Sequence, residues 1–435
     1  MRLLDGWALS MTALLGAACS SATDDPVVNG GTGGGGNQQY ETLKIATWFA
    51  APGELEALQE IINDYQEGYP GARVQIVPIS IGPVPRNAQL HAGDDKFAAV
   101  DWDVAYQMQP FLGQMTDTAI DLSTVESLSG ALAGTDAALQ NTLQVGGMVP
   151  GLPVAIDRLN GLTYNLGLMT APPSTLEEFR DVCTTYVDAG KLGPKPYVTG
   201  TRTADQDTRI YLISLLGLLP AEVVFGRDPA PAEKLGAALS ALAYYRDNDC
   251  MAWASDDNTS GANWDEAAQD MIDDHVMMSM QPDWGNGYFV ANGQKAGTDF
   301  ATRTLLHDTG AYVYTAEFLI GRASSPNRTE IENFLGVAGR LSTQLSYAAV
   351  RGALPALAVT NPQTQISDPG TLAQRLDFDR TAAAGRIGTM PGWIASGTKP
   401  TNYLLPFMLG TMSLEDAVQG YLCGDGAPYP GYACP

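Results

Sequence analysis

Leu43, Ile45 and Thr47 alternate with Lys44 and Ala46 as a strand, and Pro52-Gly53-Glu54 then opens a helix with Leu55, Leu58, Ile61, Ile62 and Tyr65 on one face. Gly68 and Pro70-Gly71 stop that helix, and Arg73 to Ile79 alternates as a second strand. A strand, helix, strand run implies a parallel pair and commits the start of the chain to the α/β class. The alternation continues. Pro172-Pro173 precedes a capping box of Ser174 and Glu177 on a helix running towards Gly190, and Ser413 with Asp416 opens another. No repeat of fixed period is present.

Ahead of this unit lie an apolar run, Ala8 to Ala18, then Cys19 and a glycine-rich tract, Asn29 to Asn37. With Arg2 and the free amine as a positive start, residues 1–19 read as an export signal. Leu15-Gly16-Ala17-Ala18-Cys19 resembles a bacterial lipobox, which implies a thioether-linked diacylglycerol on Cys19, although Gly16 stands where leucine is usual. Ordinary cleavage near Ala18 is the alternative. Residues 20–40 read as a flexible tether with a reach on the order of 25 Å. The expected location is therefore exported, periplasmic or cell-surface, with membrane contact through the lipid only.

After the leader and tether, the rest of the 435 residues exceeds one typical core and predicts two domains. A net charge of −24, with only 24 Lys and Arg, repels phosphate backbones and excludes nucleic acid as a partner. No apolar stretch after the leader reaches the roughly 18 residues of a membrane span; Ile210 to Leu219 comes nearest and stops at Pro220. Cys183, Cys250, Cys423 and Cys434 allow three disulfide pairings, and the short, Gly/Pro-rich separation of the last two favours Cys423 with Cys434, leaving Cys183 with Cys250.

The catalytic inventory is thin. His91, His275 and His307 form no HExxH, no Cys-x-x-Cys pair occurs, and both the nucleophile elbow and the phosphate loop are missing. No metal or cofactor is expected. Carboxylate pairs carry no weight in so acidic a chain.

Several segments, in order, are more specific. Leu43-Lys44-Ile45-Ala46-Thr47-Trp48 with Glu54 resembles the opening of bacterial extracellular solute-binding proteins for sugars. Asp103-Val104-Ala105-Tyr106-Gln107 resembles a strand that ends in a ligand-facing glutamine. Gly151 to Asn160, with Tyr164-Asn165, is similar to that family's first interdomain crossing, P-x-x-x-H-R-x-N-x-x-x-Y-N. Pro172-Pro173-Ser174-Thr175 to Phe179 matches the helix start that follows. Asn263-Trp264-Asp265-Glu266 and Gln281-Pro282-Asp283-Trp284-Gly285 resemble segments that bring two aromatic side chains to the sugar. Tyr314-Thr315-Ala316-Glu317-Phe318 and Arg351-Gly352-Ala353-Leu354-Pro355-Ala356 look like the family's T-V-D-x-F and K-G-S-x-P-A-R. The nearest type is the glucose/mannose binders. Asp157 replaces the usual His, Gln109 stands where some members have His, Glu317 replaces Asp and Arg351 replaces Lys.

The resemblance implies a periplasmic-binding-protein-like type II fold: two α/β lobes with an intervening hinge and ligand cleft. The lobes would comprise residues 41–154 plus 306–355 and 155–305 plus 356–435, with crossings near 153–158, 300–308 and 353–358. It implies a monomeric, non-enzymatic sugar-binding subunit that presents its ligand to an ABC permease. A pyranose has apolar C–H faces and a hydroxyl rim. Trp48, Trp264 and Trp284 can supply flat surfaces, and Glu54, Gln107, Gln109, Asn160, Asp283, Glu317 and Arg351 the polar contacts.

Each candidate has a plainer reading as well. The tryptophans can be core, Glu54 can answer its helix's positive end, and the amides can cap strands. Asp283, Glu317 and Arg351 can be ordinary charged surface groups. Arg158, inside the proposed crossing, reads as structural. Two rival functions remain at this point, an exported glycoside hydrolase and a non-sugar solute-binding lipoprotein. Two cleft carboxylates about 5 to 9 Å apart would favour the first; tryptophans buried in separate cores would favour the second.

Overall fold

The computed structural model describes residues 40–80, 83–91, 93, 96–199, 218–219, 230–253, 264–304, 311–381, 386–388, 400–424 and 434. The export signal, Cys19, residues 20–39 of the tether, Asn263, His307 and the second crossing beyond residue 304 lie outside them. A compact unit begins at Tyr40.

The expected parallel unit forms. Strand β1 (Thr42–Thr47) pairs in parallel with β2 (Arg73–Pro78) through helix α1 (Glu54–Gly68), and also in parallel with β3 (Val104–Met108). Helix α1 buries Glu54, Ala57, Leu58, Ile61, Ile62 and Tyr65, whereas Leu55, expected on that face, is exposed. Strand β10 (Tyr312–Gly321) is buried along all ten residues, because it runs antiparallel between β3 and β4 (Leu152–Arg158) and also meets β12 (Arg386–Gly388). With β11 (Leu354–Pro355) at the far edge, the order is β11-β4-β10-β3-β1-β2. The core on this sheet includes Leu58, Val104, Leu152, Phe318 and Phe334.

A second sheet runs β7-β6-β8-β5-β9, made of β5 (Gly161–Asn165), β6 (Lys195–Thr199), β7 (Met251–Trp253), β8 (Val276–Gln281) and β9 (Phe300–Thr304). Its separate core holds Phe179, Tyr197, Leu242, Met280 and Phe289. Helix α2 (Leu176–Asp188) packs on helix α3 (Pro231–Asp247), and the Cys183–Cys250 disulfide ties α2 to the residue preceding β7. Cys423 is joined to Cys434. The cap of α2 sits one residue later than the sequence pattern placed it: Thr175 accepts from the Glu178 amide, while Ser174 reaches the Glu178 carboxylate. Ser413 caps its helix as expected.

The lobe boundaries differ from expectation in two places. All of β4 belongs to the first sheet, so the chain leaves it after Arg158 and not at 154. Phe378 and β12 return to the first lobe, so the segment after residue 355 is shared between lobes.

At that exit Arg158 is fully buried. Its guanidinium donates to Asp283 Oδ1 at 3.0 Å, Asp377 Oδ2 at 2.8 Å and Thr304 Oγ1 at 3.3 Å, and its backbone amide donates to Asp283 Oδ2 at 2.8 Å. Arg158→Met leaves buried Asp283 without its cation and Asp377 with Arg380 alone, and we expect a loss of about 3 to 5 kcal/mol in urea unfolding. A midpoint within error of the parent would refute the clamp.

Candidate functional site

In open α/β sheets, ligands meet the carboxyl ends of parallel strands, where loops and helix starts present side chains. Here β1 ends at Thr47-Trp48, β3 at Gln107-Met108-Gln109 and β8 at Gln281-Pro282-Asp283-Trp284. Helix α5 (Trp284–Ala291) follows β8 directly, helix α4 (Trp264–Ile272) packs beside it, and helix α7 (Leu341–Arg351) lies on α1. Between α4–α5 and α7 the chain also forms α6 (Arg328–Ala338), and α8 (Pro369–Arg380) comes after.

The first- and second-sheet elements meet here with backbone against backbone. Gly53 sits at φ +88°, and a Cβ there would lie 2.5 Å from the Gly287 carbonyl carbon; a Cβ on Gly287 would lie 2.6 Å from the Arg351 oxygen. Only glycine permits this approach.

Arg351 lies at the centre. Its guanidinium donates to Glu317 Oε1 from Nη2 at 2.9 Å and Nε at 3.2 Å, and reaches Glu54 Oε1 at 3.4 Å. Its carbon stands 5.0 Å from the Phe49 ring centroid and 5.6 Å from that of Trp284. Glu54 Oε2 accepts from the Ala50 and Ala51 amides, so the helix start is fixed as well. The Tyr347 hydroxyl donates to Glu317 Oε2 at 2.7 Å and lies 2.9 Å from the Tyr106 hydroxyl. Tyr106 in turn contacts Trp48 at 5.2 Å and Phe49 at 4.3 Å between centroids, and Arg86 covers the Trp48 ring at 4.5 Å.

Asp157 completes the layer. Strand register places Asp157 opposite Thr315 and Ala155 opposite Glu317, so both acids lie on one face of the sheet. Asp157 is fully buried, and as a carboxylate both its oxygens are without a hydrogen-bond partner. As an acid it donates to Glu317. Burial, the charge of Glu317 and a further push from Asp283 raise its pKa well above 3.8 despite Arg351. Burial also pushes Glu317 up, but Arg351 and hydrogen bonds from Asp157, Arg351 and Tyr106 outweigh it and hold that carboxyl below its ordinary range. Glu54 is raised, chiefly by burial against the pull of Arg351.

The structure thus brings Glu54, Trp284, Glu317 and Arg351 together, with Trp48 one aromatic contact away. Trp264 and Trp284 belong to one core, not two, each 6% exposed, with Trp264 edge-on to Tyr288 at 5.7 Å. Gln107 is buried and its Oε1 accepts from the Met108 amide, while buried Gln109 Oε1 has no partner. Two of the candidates are engaged within the protein. Asn160 uses both ends of its amide on backbone, donating to the Ala311 oxygen at 2.8 Å and accepting from the Val313 amide at 3.1 Å. Asp283 is held by Arg158. Sequence reading missed Tyr106 and Tyr347 as members of the layer; the one signal was Tyr347 standing four residues, one helical turn, before Arg351. Gln281 was missed too: it is fully buried and its amide is unpartnered at both ends.

The sequence profile of bacterial extracellular solute-binding proteins matches residues 51–339. The chain belongs to that family. A probable sugar-binding periplasmic protein of Brucella suis is 23% identical over 408 residues, covering 88% of this chain and 91% of its own. An ABC transporter extracellular-binding protein of Pyrococcus horikoshii is 21% identical over 345 residues, 73% of this chain and 72% of that one. Among solved structures, the GacH receptor of Streptomyces glaucescens, known unliganded and with acarbose, gives a TM-score of 0.65 at 13% identity over 88% of this chain and 97% of that chain. The maltotriose binding protein of Thermus thermophilus gives 0.62 at 17% identity over 87% and 97%. These likenesses establish the type II periplasmic-binding-protein fold for this solute-binding protein. The family consists of solute-binding proteins, not enzymes.

In this solute-binding protein the folded state retains the Asp157 proton above pH 3.8, where the unfolded chain releases it. Stability therefore falls as pH rises, by up to about 1.4 kcal/mol per pH unit for that proton, until the folded group itself ionises. Asp283, raised to about 6 mainly by burial against Arg158, adds a term of the same sign. Asp157→Asn keeps a donor to Glu317 and removes the first term, so its stability-versus-pH curve should be flatter across the mildly acidic range. Superimposable slopes in guanidinium titrations would count against a protonated Asp157.

Proposed function

We propose that this protein is the substrate-binding subunit of an ABC-type sugar importer, closing its two lobes on a mono- or small oligosaccharide and presenting it to a membrane permease. One observation carries the reading. Arg351, anchored by Glu54 and Glu317 on the first lobe, faces Trp284 of the second across a glycine seam. A flat ring opposite a fixed array of charged hydrogen-bonding groups matches a sugar's apolar face and hydroxyl rim. Buried Gln109 Oε1 and the Gln281 amide supply further unsatisfied capacity near the strand ends. The Brucella relative, described as sugar-binding, and the solved acarbose and maltotriose receptors support the same reading.

Trp48, Trp264, Gln107 and Gln109 are proposed to line the cleft around this centre, while Asn160 and Asp283 hold its frame. Closure expels water and strengthens each polar contact. The ion cluster shapes the site, with no covalent step. We further propose that the chain is exported as a monomer and retained by lipid on Cys19, and that the lobes hinge about the segments following Arg158 and preceding Ala356. Among the described residues no helix is long and apolar enough to cross a membrane. Cys19→Ala should move the protein from the detergent-rich to the aqueous phase in detergent partitioning; an unchanged distribution would remove the anchor from the proposal.

Calorimetry against glucose, mannose and short α-linked glucose oligomers tests the main reading, and no saturable heat with any sugar would sink it. Trp284→Phe, which retains an aromatic core residue, should weaken the best ligand by about three- to tenfold. Gly287→Ala forces the seam apart and should weaken it by roughly five- to a hundredfold through overpacking of the closed form, with the melting temperature largely kept. Undiminished affinity in the alanine variant would show that the seam takes no part in closure.

A further inference from the structure

A cavity of about 190 Å³ lies behind the seam, lined by the second-lobe strands β5 and β9 and by helices α5, α7 and α8. None of the proposed sugar contacts lines it. Its apolar wall is formed by Tyr164, Phe300, Val290 and Ala349. Two polar side chains on α8 are more than nine-tenths buried and carry an atom with no hydrogen-bond partner, namely Thr371 Oγ1 and Gln374 Oε1. They stand three residues apart, on the same side of the helix.

We propose that this cavity is a second binding site, for a small uncharged molecule bearing a hydroxyl or amide N–H donor on an apolar skeleton. Gln374 Oε1 accepts only, because its Nε2 is committed to the Gly352 oxygen at 2.5 Å, so the occupant must donate there. The Thr371 hydroxyl can donate or accept beside it. Asp368 caps the Thr371 amide at 2.6 Å, and Arg303 is exposed, so the wall offers no buried charge to a charged ligand. A water site needs only about 10 to 15 Å³ and two to four polar partners. This cavity is many times larger, and its lining sets Thr371 and Gln374, each with one orphan polar atom, beside the apolar Tyr164, Phe300, Val290 and Ala349. An amphiphilic organic molecule fits that distribution better than a water cluster. Its position also matters: Gly352 follows Arg351, and Asn286, which donates to the same Gly352 oxygen, lies two residues beyond Trp284. An occupant would rest on the reverse side of both segments that meet at the seam. The proposal stands independently of the sugar reading.

The test is saturation-transfer NMR on the full chain with trans-1,2-cyclohexanediol as probe. Transfer is expected in the parent protein. It should vanish in Ala373→Trp, which fills the cavity from an exposed lining position, and weaken roughly fivefold in Thr371→Val through loss of one hydrogen bond. It should persist in Trp48→Ala, where the cavity wall is intact. Val290→Trp, also at an exposed lining position, provides a second filled variant should the first fail to fold. No transfer in the parent, transfer surviving in a folded filled variant, or transfer abolished by Trp48→Ala would each overturn the assignment, the first leaving water only and the last placing the probe in the interlobe cleft.

Discussion

Arg158 sets the terms on which the two lobes are joined. A guanidinium with no solvent contact costs several kcal/mol unless opposite charges and hydrogen bonds surround it. Here the partners come from the start of α5, the end of β9 and the middle of α8, none of them its neighbour in sequence. Burial of one side chain thus requires four elements from both sheets to arrive together. Asn160, two residues on, binds the Ala311 carbonyl and the Val313 amide and fixes the exit from β4 against the entry to β10. Since Asp283 immediately precedes Trp284, the clamp also determines where that indole stands. The position of a proposed ligand-facing ring is a consequence of the hinge's electrostatics.

The layer around Arg351 follows the same logic on the first sheet. Three acids, Glu54, Asp157 and Glu317, converge on one guanidinium, and full ionisation would leave buried negative charge in excess. A proton on Asp157 relieves it. Residues 157, 317 and 351 therefore belong together: the Glu317 carboxylate meets the wide Arg351 guanidinium through two hydrogen bonds, and a short protonated acid stands beside them. Rigid mutual pairing fixes these groups before any ligand arrives, so little ordering entropy remains to oppose binding.

Much of this was legible in the residues. The first strand-helix-strand unit follows from alternation and a helix signal, and Glu317 in the middle of β10 and Arg351 at the end of α7 were recognisable as a matched acid and base because each lies in a spaced motif. What was not legible is which backbone would stand opposite a given side chain. Asn160 and Asp283 read as polar sugar contacts, with a strand cap and a surface acid as their plainer readings, but their partners lie up to 153 residues away. Leu55 fits an amphipathic pattern and still faces solvent, because the packing stripe is set by α7 and the sheet and not by α1 alone. The cavity on α8 had no sequence signal, since five separate elements make its wall.

The division of contacts across the seam explains how such a frame can open. Glu54, Glu317, Tyr347 and Arg351 all sit on first-lobe elements, so every strong bond of the cluster survives when the second lobe moves away. What is lost is the contact of Arg351 with Trp284, on the order of 0.5 to 2 kcal/mol, the 3.4 Å hydrogen bond from Asn286 to the Gly352 oxygen, and the backbone approach of Gly287 to Gly53 and Arg351. Glycine at the seam keeps that surface small. Interlocked apolar side chains there would have added roughly 25 cal/mol for each Å² covered and held the lobes shut. A closed state held so lightly from within can be tipped by the differential affinity of a ligand that touches both sides.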